Sequence, residues 1–272
     1  MSLISIIIPC YNQGQFLVET LNSIKILKDG GIADVLIVND GSTDLLTKQV
    51  LGNVEREGWH VIHQPNMGLA KARNSGIQRA STKYILPLDS DNIIIPDFVK
   101  RAIQILENDN HVDIVYSDCI FFGEMEGYQQ VGDFDACKLI DDNYIDACAV
   151  YRKTLWDCLG GYDADMPAMG HEDWDFWIRA MMNKKKFSYV AMAGFKYRVR
   201  KNSMLRSLTD NDAQMNRHYI YNKHNYPLME SIRMNYTPQD KNFKKKYFDL
   251  KNQLKRNKIK NVIKIILGME FY

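Results

Sequence analysis

The sequence predicts an α/β fold: a mostly parallel sheet with helices on both faces, followed by a C-terminal helical extension. Three observations lead there. β-branched apolar runs alternate with segments of helical period through the first half of the chain. Four consecutive apolar runs end in polar or acidic clusters, as strands do where a parallel sheet opens toward a ligand. From about Asn242 onward there is no Pro and only one Gly, near the end, as expected of a helix.

Leu3 to Pro9 is nearly all apolar and β-branched, which suits a strand buried on both faces. After Gly14, residues Leu17, Leu21 and Ile24 fall on one helical face. Asp34 to Val38 reads as a second buried strand and Trp59 to His63 as a third. Gly68 to Arg79 is predicted helical, and Tyr84 to Leu88 is a fourth strand. Pro96 suits a first helical turn and leads Phe98, Val99, Ala102, Ile103 and Leu106. Val112 to Tyr116 is the fifth strand. Residues 119 to 205 are less regular, with a helix predicted over Glu172 to Asn183 whose apolar face is Trp174, Trp177, Ile178 and Met181. Residues 206 to 240 are polar with scattered aromatics.

A chain of 272 residues, 46% hydrophobic and 25% charged, suits one large soluble domain with an appendage. Its net charge of +2 hides an asymmetry: residues 241–272 hold ten Lys and Arg against Asp249 and Glu270, a charge of +8, which leaves −6 on the rest. The five cysteines are odd in number and form no C-x-x-C, so neither a zinc site nor a disulfide framework is indicated and a cytoplasmic location is expected. No leader peptide and no run near the ~20 apolar residues of a membrane span is visible. A dinucleotide oxidoreductase is disfavoured because no G-x-G-x-x-G follows a strand. A nucleotidylyltransferase would need a Gly-rich basic loop where Pro9-Cys10-Tyr11-Asn12 stands. Nucleic acid is not an expected partner, since the body is acidic and lacks a stacking motif.

Four clusters carry chemistry. In Asp89-Ser90-Asp91-Asn92, residues i and i+2 share one side of a strand end, so two carboxylates face one ligand. Such a pair suits Mn²⁺ or Mg²⁺ completed by phosphate oxygens, and a simple turn is the alternative. In Asn39-Asp40-Gly41-Ser42-Thr43-Asp44, Asp40 could accept from a base ring N–H, or the segment could be a turn and a helix cap. In the run from Asn66 to Gly76, Gly68 permits close backbone approach while Lys71 and Arg73 offer cations, to a diphosphate or to solvent. In Gly170-His171-Glu172-Asp173-Trp174-Asp175, the acids suit a helix N-terminus, and one of them could take a proton from an attacking hydroxyl.

Taken together, Ser5-Ile-Ile-Ile-Pro9-Cys-Tyr11-Asn12, Asn39 to Asp44, Asn66-x-Gly68 with Ala72-Arg73-Asn74-x-Gly76, Leu88 to Asp91, Gly160-Gly161-Tyr162-Asp163 and Glu172 to Asp175 resemble the family 2 glycosyltransferases. The resemblance covers about residues 3 to 205 and implies a GT-A fold with a Rossmann-type sheet. It implies a nucleotide-sugar-binding half at 1–118, an acceptor-binding half at 119–205 and an extension at 206–272. It also implies that Pro9, Tyr11, Asn12, Asp40, Asn66, Gly68, Arg73 and Asp89 surround the nucleotide, with Asp40 on a uracil-like N–H and Asp89 on ribose. Asp91 would bind the metal, Asp173 would be the catalytic base, and Glu172 would position the acceptor. The family's Tyr-Arg-x-His is replaced here by Tyr197-Arg198-Val199-Arg200, and arginine cannot ligate a cation, so Arg200 is expected to meet the diphosphate or to lie in solvent.

The implied activity is inverting transfer from a nucleotide-diphosphate sugar, UDP-linked, to a hydroxyl of a glycan or lipid-linked glycan in bacterial surface polysaccharide synthesis. A binding module without catalysis is the alternative. Sugar specificity is expected near Asp118, Asp146 and Met166 to His171. The basic tail at 241–272, with an apolar end at Val262 to Phe271, is expected to dock on an anionic membrane surface; packing on the body or on a partner chain is the alternative.

Overall fold

The computed structural model describes residues 2–200, 209–235 and 252. The expected alternation opens the chain: β1 (Ile4–Cys10), α1 (Gly14–Asp29), β2 (Ala33–Asp40), α2 (Leu45–Arg56), β3 (His60–Gln64), α3 (Leu69–Arg79) and β4 (Tyr84–Pro87). Then come β5 (Ile93–Ile94), α4 (Pro96–Asn108), β6 (Val112–Gly123), β7 (Gly127–Gln129), α5 (Ala136–Asp141), β8 (Val150–Arg152) and α6 (Lys153–Leu159). The last are α7 (Glu172–Met182), β9 (Lys186–Val199) and α8 (Asp210–Asn235).

One sheet runs in the order β3-β2-β1-β4-β8-β6-β9-β5, with β7 on β6. β1 pairs in parallel with β2 and β4, and β2 with β3, which brings the ends of the first four apolar runs to one edge. β6 and β9 are also parallel. The fifth predicted strand does not lie beside the fourth: β8 stands between them, antiparallel to both. The two halves expected to meet at residue 118/119 share this sheet, and that boundary falls inside β6.

Strand alternation divides the core. Ile4, Ile6 and Ile8 of β1 join Leu17, Leu21 and Ile24 of α1 and Phe98, Val99 and Leu106 of α4 on one face. Ile7 joins Leu36, Val38, Ile77, Trp174 and Trp177 on the other, under α3 and α7. All five apolar residues predicted for α4 are buried. α2 begins where Asp44 caps it, accepting from the Thr47 amide at 2.7 Å.

β9 falls in the region expected to be irregular. Its 14 residues alternate imperfectly and lie mostly half-buried, so they carry no continuous apolar signal. The strand approaches β6 closely at Gly194, where a Cβ would stand 2.1 Å from Ser117 Oγ. The β6–β9 register shifts at Ser117/Asp118 and Asp118/Cys119, beside that contact.

α8 lies in the region that was read as polar. It docks on α7 largely through charge rather than an apolar stripe. Asp175, wholly buried, accepts from Arg179 Nε at 2.7 Å and His224 Nε2 at 2.7 Å and pairs with Lys223 Nζ at 3.1 Å. These cations hold its carboxyl well below the usual range despite burial. Among the described residues no helix is long and apolar enough to cross a membrane. The predicted basic helix at 241–272 lies outside the described residues.

Candidate active site

The loops after β1, β2 and β3 interlock. Asn12, in the left-handed region at φ 53°, accepts through Oδ1 from the amides of Thr43 (2.8 Å) and Asp44 (3.2 Å) and donates through Nδ2 to Thr43 Oγ1 (3.0 Å). The side chain of Asn12, a residue expected beside the nucleotide, braces the two loops, because both ends of the amide meet the 43–44 backbone and hydroxyl. Asp40 also acts on its neighbours. Its Oδ1 accepts from Gln64 Nε2 (2.7 Å) and the Met67 amide (2.9 Å), and its Oδ2 from the Gly68 amide (2.8 Å). The carboxylate thus fixes the turn into α3 and retains lone-pair capacity for one further donor. Gly41 packs under this turn, where a Cβ would stand 2.5 Å from the Asn66 nitrogen. Pro9 is buried, Tyr11 is 44% exposed at the edge, and Asn66 is exposed beside Gly68.

The side chain of Arg73, a residue expected beside the nucleotide, is only 3% exposed. Its Nη1 donates to Glu172 Oε1 at 2.6 Å and its Nη2 to Asp89 Oδ1 at 2.7 Å. The guanidinium therefore joins the end of β4 to the start of α7, across the two halves of the sheet. Two carboxylates keep it charged against burial. The other Glu172 oxygen accepts from the Gly170 amide at 3.1 Å. Glu172, which the sequence reading placed beside the acceptor, is buried and engaged at both oxygens, where it holds Arg73 and the turn into α7. The adjacent Asn74 pins the Gly160-Gly161-Tyr162 turn, accepting from the Tyr162 amide (2.8 Å) and Trp156 Nε1 (3.0 Å) and donating to the Tyr162 carbonyl (2.8 Å).

Asp91 pairs its Oδ2 with Arg200 Nη2 at 2.5 Å. Arg200 is therefore in the cleft and not in a solvent-exposed loop. Both Arg200 and Arg198 stack on Phe16, and Arg198 Nε donates to the Asp91 carbonyl at 2.9 Å. Thr20 Oγ1 lies 2.9 Å from the Ser90 carbonyl and 2.8 Å from that of Asn92, which fastens this loop to α1. Among the described residues no group of three His, Cys, Asp or Glu is arranged to hold a metal. Burial first, and then the Asp89 charge, raise the Asp91 pKa, and the paired Arg200 opposes them. As a single carboxylate oxygen donor, Asp91 suits a hard cation that draws its remaining ligands from phosphate and water, not an all-protein cage.

Asp173 follows Glu172 at the first turn of α7 and accepts from its own neighbour's amide, Trp174, at 2.8 Å. Burial raises its pKa; Arg73 and a hydrogen bond from Asn143 oppose the rise, and the Asp89 charge adds to it. Asp173 and Asp89 thus share one field, and Tyr197 responds to Asp146, Asp89, Asp91 and Asp173 together. Trp174 and Trp177, read as part of this helix's apolar face, are core residues. Trp174 Nε1 donates to the Leu139 carbonyl, and Trp177 Nε1 donates to that of Ile145 at 3.0 Å. They tie α5 and the segment before β8 to α7.

Two supports had no sequence signal. Asn216 of α8, wholly buried, donates to the carbonyls of Ala168 (3.0 Å) and Gly170 (3.0 Å) and accepts from the Ala168 amide (2.9 Å). It sets the turn that enters α7 through Gly170 (φ 100°) and His171 (φ 69°). Asn143 is the other, in a polar stretch with nothing to mark it. Asp118, expected near the specificity region, is spent on Tyr128 (2.7 Å), Tyr189 (2.8 Å) and the Val131 amide (2.8 Å).

A sheet opening with the order 3-2-1-4, with an acidic loop after β4 and an acidic helix start beside it, defines a GT-A-type nucleotide-sugar fold. The glycosyl transferase family 2 model matches residues 5–160, and the chain belongs to that family. Solved structures similar to it include Staphylococcus aureus TarS 1–349 in complex with UDP-GlcNAc, at 20% identity and TM-score 0.66 over 85% of this chain and 66% of that one. The UDP complex of the same protein gives 19% and 0.61, over 85% and 65%. Bacillus subtilis EpsH is 26% identical over 74% of this chain and 62% of its own. Streptococcus pneumoniae glycosyltransferase GlyA is 27% identical over 84% and 36%. An uncharacterized glycosyltransferase of Rickettsia conorii is 34% identical over 40% of this chain and only 18% of its own length. The family match ends before Glu172, so the acidic helix and α8 lie beyond it.

Proposed function

We propose that this chain is an inverting, metal-dependent glycosyltransferase. It moves a hexosyl or N-acetylhexosaminyl group from a UDP-sugar to a hydroxyl of a glycan or lipid-linked glycan, in the assembly of a bacterial surface polysaccharide. The observation that supports the reading is the chain Asp89–Arg73–Glu172, which ties the loop that carries Asp91 to the helix start that carries Asp173. A module that only binds a nucleotide sugar has no need of an α7 tied to the donor loop by a buried cation.

A divalent ion at Asp91 would supply positive charge to the departing diphosphate. Tyr11 and Asp40 border the base, and Asp89 faces the ribose with the oxygen that Arg73 leaves unused. Arg200 turns from Asp91 to the diphosphate as the donor enters. Asp173 takes the proton of the acceptor hydroxyl, which attacks the anomeric carbon opposite the leaving group, so the configuration inverts.

Donor hydrolysis tests this reading without knowledge of the acceptor. UDP-sugar incubated with the protein and Mn²⁺ is expected to release UDP slowly. Asp91→Ala is expected to abolish that release, and Arg200→Ala to weaken donor affinity and turnover. A wild-type chain that binds UDP-sugar but never cleaves it, alone or with glycan acceptors, would instead be a binding module. Unchanged kinetics in Arg200→Ala would remove the diphosphate role of that residue.

The ten cations and apolar end of residues 241–272 support docking on an anionic bilayer, at ~1 kcal/mol per basic residue near the surface. Co-sedimentation with phosphatidylglycerol vesicles is expected at low salt and is lost as salt screens the charges. Failure to sediment at low salt would refute it.

A further inference from the structure

The entry into α7 is not one its own residues favour. The N-cap, His171, has φ 69° and makes no side-chain cap, and Gly170 before it has φ 100°. The left-handed region is costly for a residue with a Cβ, so a turn of this shape persists only where the surroundings hold it.

The hold comes from α8. Asn216, Tyr219, Ile220, Lys223 and His224 fall at helical spacing on one face of that helix. They grip the segment from Asp163 to Asp175 along its length. Tyr219 Oη donates to Asp163 Oδ2 at 3.0 Å, and Lys223 Nζ pairs with the same oxygen at 2.5 Å. Ile220 is wholly buried in the core that also takes Trp174 and Trp177. Lys223 and His224 meet Asp175. Asn216 differs from these because it bonds the backbone of the turn itself. Its Nδ2 donates to the Ala168 and Gly170 carbonyls and lies 3.3 Å from His171 Nδ1, and its Oδ1 accepts the Ala168 amide. A side-chain amide offers two donors and an acceptor at once, which neither a hydroxyl nor a carboxylate does. Asp173 stands three residues beyond Gly170, so its direction follows from the backbone angles at 170 and 171.

We propose that Asn216 is a positioning residue for the transfer reaction: it holds the 168–171 turn in the shape that aims Asp173 at the acceptor hydroxyl. This rests on the reading of Asp173 as the base. It makes α8, which lies beyond the matched family segment, part of the catalytic unit and not only a cover for the core.

A double-mutant cycle on the full chain tests it, read by Mn²⁺-dependent hydrolysis of UDP-Glc and UDP-GlcNAc well below the Tm of each variant, with UDP calorimetry alongside. Asn216→Ala is expected to lower the hydrolytic kcat ~10-fold or more, because a small misplacement of a reacting group costs that much. UDP affinity should stay within about twofold. Added to Asp173→Asn, the same change is expected to cost less than about twofold further, since the group it aims is already gone. Lys223→Met loosens α8 but leaves Arg179 and His224 on Asp175, and it is expected to lower Tm with kcat within about twofold. If Asn216→Ala does not fold, Asn216→Ser, whose hydroxyl can keep one carbonyl, goes through the same cycle. Losses that multiply with Asp173→Asn, equal losses of kcat and UDP affinity, or a kcat defect in Lys223→Met as large as that of Asn216→Ala overturn the inference, since each describes a helix that only stabilises the fold. An unchanged kcat in the Asn216 variant overturns it too. A wild type that cleaves neither donor, or a full rate in Asp173→Asn, defeats the catalytic reading and this inference with it.

Discussion

Asp173→Asn is expected to lower turnover at least ~10²-fold while leaving donor affinity nearly unchanged. Asparagine has almost the same volume and can still accept the Trp174 amide that Asp173 accepts at 2.8 Å, so the start of α7 should persist. What disappears is the capacity to take a proton. Burial raises the Asp173 pKa, and the base works only when ionised, so the rate should rise with pH through a limb above the ordinary carboxylate range. Arg73 opposes that rise and keeps the limb from drifting far. The checks are single-turnover transfer rates and a pH profile of kcat/KM for wild type, with UDP-sugar calorimetry on the variant. Full activity in Asp173→Asn would remove the residue from the chemistry.

Arg73→Met is expected to do the greatest damage to the structure itself. It strands Glu172, whose side chain is only 5% exposed, and releases Asp89. Removing one partner of a buried ion pair costs roughly 3–5 kcal/mol, because the other charge stays desolvated. In a protein of this size that lowers Tm by about 10 °C. Adding Glu172→Gln should recover part of the stability, since the stranded charge is gone, and none of the activity, since β4 and α7 are no longer joined. Thermal denaturation of the single and double variants, with donor hydrolysis alongside, measures both. If Arg73 simply gripped the nucleotide, Arg73→Met would weaken UDP binding and spare Tm.

The order β1 to β4, the helices α1, α3 and α4, and the start of α7 were legible because each buries a regular apolar pattern. β1 is seven buried residues in a row, and α4 buries all five predicted positions. β9 and α8 were not legible. β9 is held by long-range pairing with β6, and α8 by the Asp175 and Asn216 networks, neither of which leaves an apolar period in the local sequence.

The site divides in the same way. Residue types and their spacing were enough to put Asp40 and Asp89 at the same edge of the sheet, because parallel strand ends share an edge, and to read the acidic start of α7 locally. They did not show which side chains Arg73, Asn12 and Glu172 would meet, nor point to Asn143 and Asn216. A side chain's role depends on what lies within ~3 Å of its polar atoms, and here those partners come from segments up to 99 residues away. Only the folded chain brings them within reach, and it is that proximity, not composition, that decides which protein groups each side chain holds.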